Sequence, residues 1–242
     1  MYTKSTYNAW QMAKWTRFET FLFIIIGCSW VAAYFFLDLD WLRIPWTPLA
    51  LIGTAVAFVI GFQNNAAYGR IWEARKIWGG IVNASRTFGL LVRDMVTNEH
   101  AKVKKTEEEL HAEVQVLTYR HIAWMTALRH AMRVLKPWET TSGHKTNTEW
   151  GIYPPERDTS LGDDLKNYLS EKDLDYVLEK DNKQTALLYL QSRHLKQLKE
   201  AGYLWEFSFL ELEEVVKELM ALQGKSERIK NFPYPRQFAT LN

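Results

Sequence analysis

Residues 21–37 read FLFIIIGCSWVAAYFFL, seventeen positions without a charge, and residues 44–69 read IPWTPLALIGTAVAFVIGFQNNAAYG, twenty-six more. The hydrocarbon core of a bilayer is about 30 Å thick, and a helix crosses it with roughly 20 apolar residues. The apolar core of the second stretch runs from Pro48 to Phe62 and gains length from polar flanks. Only Asp38–Arg43 separates the two stretches, so they predict an antiparallel transmembrane hairpin. Thr47 suits an N-cap, and Pro48 suits the first helical position, where its missing N–H costs nothing. A signal peptide would explain the first stretch alone, but there is no convincing small-residue cleavage site and a second apolar stretch follows. A soluble fold would have to bury both stretches as core helices.

Lys/Arg placement orients the hairpin. Lys4, Lys14 and Arg17 precede the first stretch, and Arg70, Arg75, Lys76 and Arg86 follow the second. The linker holds only Arg43, beside Asp38 and Asp40. Both ends are therefore expected in the cytoplasm. Trp15 and Trp72 would then mark the inner interface, and Trp41 and Trp46 the outer one.

Within the second stretch, Gly53, Ala57 and Gly61 recur every fourth residue and form a small-residue ridge. Such ridges let membrane helices approach closely where lipid offers no hydrophobic drive to associate. Thr54, Phe58 and Phe62 lie one position further round and share a helix face. By spacing alone this face either meets lipid or the first span, or lines a constriction between copies of the helix.

The rest of the chain reads as soluble helices. Thr106-Glu107-Glu108-Glu109 is a capping box opening a helix to about Leu135. Its apolar stripe is Leu110, Val114, Leu117, His121, Trp124, Leu128 and Met132, which makes His121 a satisfied core histidine. Pro137 stops it, and 138–160 reads as a loop. Helices are expected over Leu161–Leu178, Lys183–Lys199 and Ser208–Leu222, the last capped by Gly224. Glu211, Glu213, Glu214 and Glu218 make a solvated helix face or, around an axis, a cation-attracting vestibule.

The composition excludes several classes. Thirty Lys+Arg against 28 Asp+Glu leave a charge of +2 and no basic footprint for nucleic acid. The single cysteine, Cys28, excludes a disulfide framework and a Cys-cluster metal site. There is no Walker-type phosphate loop, no GxGxxG after a strand, no HExxH and no GxSxG, so neither enzyme, metal nor cofactor is expected.

The run Gly61–Arg86 follows G-F-x-N-x-x-x-Y-x-R-x-x-E-A-R-K-x-W-G-G-x-V-x-x-S-R, with Asn64, Tyr68, Arg70, Glu73, Arg75, Trp78, Gly79 and Gly80 at its fixed positions. It closely resembles the bestrophin family, especially the bacterial branch. Leu128–Leu135, Gly224–Ile229 and the Pro233-Tyr234-Pro235 segment agree with that resemblance. It implies an all-α membrane protein: an N-terminal transmembrane hairpin and pore helix over 1–82 and a cytosolic helical region over 83–242. It also implies a homopentameric channel in the bacterial inner membrane, whose partners are lipid, its own copies and permeating monovalent ions.

Family neck positions fall on Thr54, Phe58 and Phe62, the face already reached by spacing, although Thr54 replaces the usual aliphatic residue. A second constriction would lie near Phe207. Animal members pass chloride, whereas bacterial ones can favour cations. An apolar neck carries no charge to decide between them, so selectivity stays open, with the bacterial resemblance leaning toward monovalent cations. Family members carry a second membrane hairpin after the Pro-x-Pro segment, whereas this sequence runs seven residues past Pro235 to Asn242. The acidic calcium clasp of animal members lies beyond that hairpin, so nothing here implies calcium gating. The competing reading is a membrane-anchored helical scaffold or regulatory protein that conducts nothing.

Overall fold

The computed structural model describes residues 8–137 and 154–232, and among them every regular element is helical. Contacts divide these residues into two compact units, 8–67 and 68–137 with 154–232. The division falls inside a helix, earlier than the 82/83 boundary read from the sequence.

In the first unit α1 (Ala9–Trp15) is opened by Asn8, whose Oδ1 accepts from the Trp10 N–H at 3.2 Å. Helix α2 (Arg17–Phe36) follows, and a short 3-10 turn over Asp40–Leu42 reverses the chain. Asp38 takes a positive φ of 48° at the start of that reversal. Trp30 Nε1 donates to the Leu42 carbonyl at 3.2 Å and ties the turn to α2. Helix α3 begins at Trp46, so Thr47 is inside it rather than capping it. Pro48 still lies in the first turn, where no intrahelical partner for its nitrogen is needed.

No residue of α2 is buried, and Phe23 is 71% exposed. The α3 residues in this unit are no better covered. Soluble monomers do not expose contiguous apolar surfaces of that extent. The twenty residues of α2 span about 30 Å at 1.5 Å each, the thickness of a bilayer core. These are two apolar helices of membrane-crossing length, as the charge-free stretches predict.

The second unit packs α3, which runs on to Met95, against α4 (Glu107–Arg133), α5 (Leu161–Leu165), α6 (Glu171–Glu179), α7 (Lys183–Ala201) and α8 (Glu206–Asn231). Helix α3 contributes Ile77, Ile81, Ala84, Phe88 and Val92, a buried stripe at helical spacing. No proline stands between Pro48 and Pro137 to interrupt the helix.

The α4 capping box is formed on both sides: Glu109 N–H donates to Thr106 Oγ1, and the Thr106 N–H donates to Glu109 Oε2. Leu117, His121, Trp124 and Leu128 are buried as the stripe predicts. Buried amides fix the register between helices. Gln191 Nε2 donates to the Leu117 carbonyl at 2.9 Å, Gln184 Nε2 to the Ala127 carbonyl at 3.2 Å, and Trp124 Nε1 to Gln223 Oε1 at 2.9 Å.

Three local expectations are corrected. The 161–178 helix is two helices, because Ser170 accepts from the Asp173 N–H and starts a new one. Gly224 is not a cap: α8 continues to Asn231. Nothing lies within 4 Å of a Cβ built on Gly224, so the helix carries it at only the modest cost of a mid-helix glycine. The glycine that does cap is Gly202, after α7, with φ 83°, where a Cβ would lie 2.4 Å from the His100 carbonyl oxygen. His121 is a core residue but not a satisfied one: it stacks on Phe88 at 5.1 Å while its Nε2 has no hydrogen-bond partner. Burial pushes its pKa down to about 4, so the ring is neutral at pH 7. Of the expected 138–160 loop, 138–153 lies outside the described residues, as does the Pro233–Pro235 segment.

Candidate functional site

Helix α3 carries both candidate faces. Phe58 and Phe62 are 67% and 60% exposed, and their rings meet edge to face at 4.8 Å. Thr54 sits on the same face one turn earlier. Its Oγ1 donates to the Ala50 carbonyl at 2.9 Å, so the hydroxyl proton is used within the helix. The face therefore presents two phenyl rings and a threonine methyl group and oxygen, with no charge. The ridge is equally open: nothing in the chain lies within 4 Å of a Cβ built on Gly53 or Gly61, and Ala57 is exposed.

The motif residues after Gly61 divide by what they touch. Arg70 reaches the far end of α8, where Nη2 donates to the Ile229 carbonyl at 2.9 Å and the Phe232 carbonyl at 3.2 Å. Glu73 Oε1 accepts from Arg228 Nη2 at 2.6 Å. Gly80 lets α8 approach, because a Cβ there would lie 2.9 Å from Leu222 Cδ2. Gly79 has nothing within 4 Å of its own built Cβ.

Tyr68 stacks on Trp72 at 6.1 Å, and the Trp72 ring takes Arg75 and Lys76 at 5.7 and 5.8 Å. Asn64 and Trp78 are exposed. The motif thus combines residues that lock α3 to α8 with residues left on the surface. Phe207, in the first turn of α8, is 62% exposed and packs edge-on to Trp205 at 4.8 Å.

A family model described as Bacterial/Fungal Bestrophin protein matches residues 15–242. The chain belongs to the bacterial/fungal bestrophin family. A voltage-dependent anion channel-forming protein of Ralstonia nicotianae is 27% identical over 237 residues, covering 96% of this chain and 66% of that protein. A voltage-dependent anion channel-forming protein of Escherichia coli is 26% identical over 194 residues, covering 80% of this chain and 52% of its own length. This bestrophin chain therefore spans between half and two thirds of the length of these curated relatives. The crystal structure of a bacterial bestrophin homologue from Klebsiella pneumoniae superposes with a TM-score of 0.73 at 22% identity, covering 93% of this chain and 70% of that one. At that identity the likeness carries the fold.

Two features of this bestrophin fold were not read from the sequence. One is the continuation of α3 through Met95, signalled by the Ile77, Ile81, Ala84, Phe88, Val92 stripe. The other is the clasp of Arg70 and Glu73 on α8, which has no local signature because its partners are remote in sequence.

Proposed function

We propose that this bestrophin-family chain is a subunit of a homopentameric ion channel that conducts monovalent ions passively. Thr54, Phe58 and Phe62 line its neck, and Gly53, Ala57 and Gly61 face a neighbouring helix. The family match over residues 15–242 carries this reading. The exposure of both α3 faces supports it, since each needs a partner that one chain does not supply. Five phenyl rings around an axis offer an ion no ligand to replace its hydration shell, and a narrow apolar neck gates by dewetting.

The hairpin and pore helix are assigned to 1–82 and the remaining helices, 83–242, to the cytoplasm, by the Lys/Arg asymmetry of the flanks. The membrane is the bacterial inner membrane. Selectivity is read differently from the sequence expectation. A chargeless neck does not discriminate by sign, and the names of the curated relatives favour anions over the cations first expected.

The test is reconstitution of the protein in planar bilayers under a potassium chloride gradient. Steady currents with a reversal potential on the chloride side support an anion channel, and one on the potassium side a cation channel. A silent bilayer containing inserted protein supports the scaffold reading.

A further inference from the structure

In the unit of residues 68–137 and 154–232, a cleft of about 280 Å³ opens where α4, α6 and α7 meet. Arg120, Lys172, Asp173, Tyr176, Arg193 and His194 form its polar wall. Arg120 is buried, at 7% exposure, and its guanidinium is held in place. Nη2 donates to Asp173 Oδ2 at 2.8 Å, and Nη1 donates to His194 Nδ1 at 3.1 Å. Arginine has no acceptor atom, so Nδ1 must accept and the His194 proton sits on Nε2. That nitrogen donates to Glu113 Oε2 at 2.9 Å, and the other Glu113 oxygen takes Lys105 Nζ.

The network satisfies every member except one. Arg120 Nε is buried with no acceptor. Such an orphaned donor in a native fold calls for an explanation, as local strain, an internal water or ion, or a functional role. Lys172 and Arg193 stand exposed at the rim and form no ion pair among the described residues. Elsewhere in the same unit exposed cations do pair, as Lys166 with Asp163 and Lys217 with Glu214.

The charges facing the cleft are three cations, Arg120, Lys172 and Arg193, against the single carboxylate of Asp173. Asp173 is already spent on Arg120. His194 adds no charge, since burial and then Arg120 lower its pKa. The volume is just below the usual range for small-molecule sites of about 300–1,000 Å³, so it suits a compact ligand. A guanidinium fork and an ammonium are the groups that recognise oxyanions.

We propose that this cleft binds a small oxyanion, the phosphate or carboxylate group of a soluble metabolite. Lys172 and Arg193 meet its charge from the rim, while Arg120 sets the positive floor. This site is separate from the α3 faces and does not depend on conduction.

The experiment is calorimetric titration of the detergent-purified protein with inorganic phosphate and with succinate, against sodium chloride at matched ionic strength. The proposal expects saturable binding of phosphate or of succinate, and which one saturates identifies the ligand chemistry. The Lys172→Ala/Arg193→Ala double variant should weaken that binding about tenfold or more, whereas Lys217→Ala leaves it unchanged. The rim residues are chosen because removing Arg120 would strand Asp173 and His194 inside the fold. Saturation by neither anion, an equal response to chloride, or unchanged binding in the double variant would each overturn the proposal.

Discussion

Arg70 and Ile229 stand 159 residues apart in sequence and are joined by a 2.9 Å hydrogen bond from Nη2 to the carbonyl oxygen. Ile229 lies in the last turn of α8, where carbonyls lack intrahelical partners and the helix dipole favours a cation. Arg70 thus acts as a remote helix cap. Because Arg70 is exposed, its removal should cost only about 1 kcal/mol. Arg70→Ala is expected to increase amide hydrogen exchange over residues 227–232 and leave the α4 core protected. Protection unchanged at those amides would remove this role. The nearby Glu73–Arg228 pair is also exposed, and a double-mutant cycle should find less than about 1 kcal/mol of coupling.

The adjacent glycines of the motif should respond in opposite ways. Gly79→Ala meets nothing in the chain and gains helix propensity, so it should be neutral or stabilise by up to about 1 kcal/mol. Gly80→Val drives a branched side chain into Leu222, which is itself buried, and should destabilise by about 1–3 kcal/mol. Thermal melts of the two variants check this. Equal melting temperatures would mean that α3 and α8 do not approach as described.

How much of this was readable beforehand depends on the range of the signal. The apolar stretches of α2 and α3 are legible because hydrocarbon excludes charge over a continuous run. The α4 start is legible because a capping box is complete within Thr106–Glu109. The stripe Thr54, Phe58, Phe62 follows from helical period alone. The break before Ser170 is also local, in the Ser170-x-x-Asp173 pair, although a single helix is expected over 161–178. Gly224 misled because a glycine late in a stripe looks like a cap until the buried Gln223 and the Arg70 clasp are seen. The Arg120 cleft is assembled from three helices, and no spacing within any one of them announces it.

Acid should destabilise the helical unit through His121. In the folded state its pKa is lowered from 6.5 to about 4 by burial. Between those values the unfolded chain binds more protons, so stability falls as pH falls through that window. It is full above pH 6.5, and the loss reaches about 3 kcal/mol near the folded pKa. His194 is shifted in the same direction. His121→Leu should flatten the fall. Chemical denaturation at about pH 7 and about pH 4.5 measures it, and an unaltered difference in the variant would assign the acid sensitivity elsewhere.

Assembly tests the ridge. Ala57→Leu adds bulk to a surface that nothing in its own chain covers, whereas Ile24→Phe changes bulk on α2, where Ile24 is 56% exposed. If Gly53, Ala57 and Gly61 face a neighbouring subunit, the first variant loses oligomer and the second does not. Size-exclusion chromatography with light scattering reads the outcome. Equal oligomer yields would place the ridge against lipid.

The phenyl face of α3 is tested most directly by single-channel recording of Phe62→Ala beside the unaltered protein. An apolar neck that closes by dewetting should wet when its ring is removed. The variant is expected to conduct more or to stay open, with no change in ion selectivity, because no charge is added or lost. Phe58→Ala should act in the same direction. Thr54→Ala should act least, since the Thr54 hydroxyl proton is already committed to the Ala50 carbonyl. Wild-type currents and wild-type gating in both phenylalanine variants would contradict the account and turn this face toward lipid or a neighbouring helix.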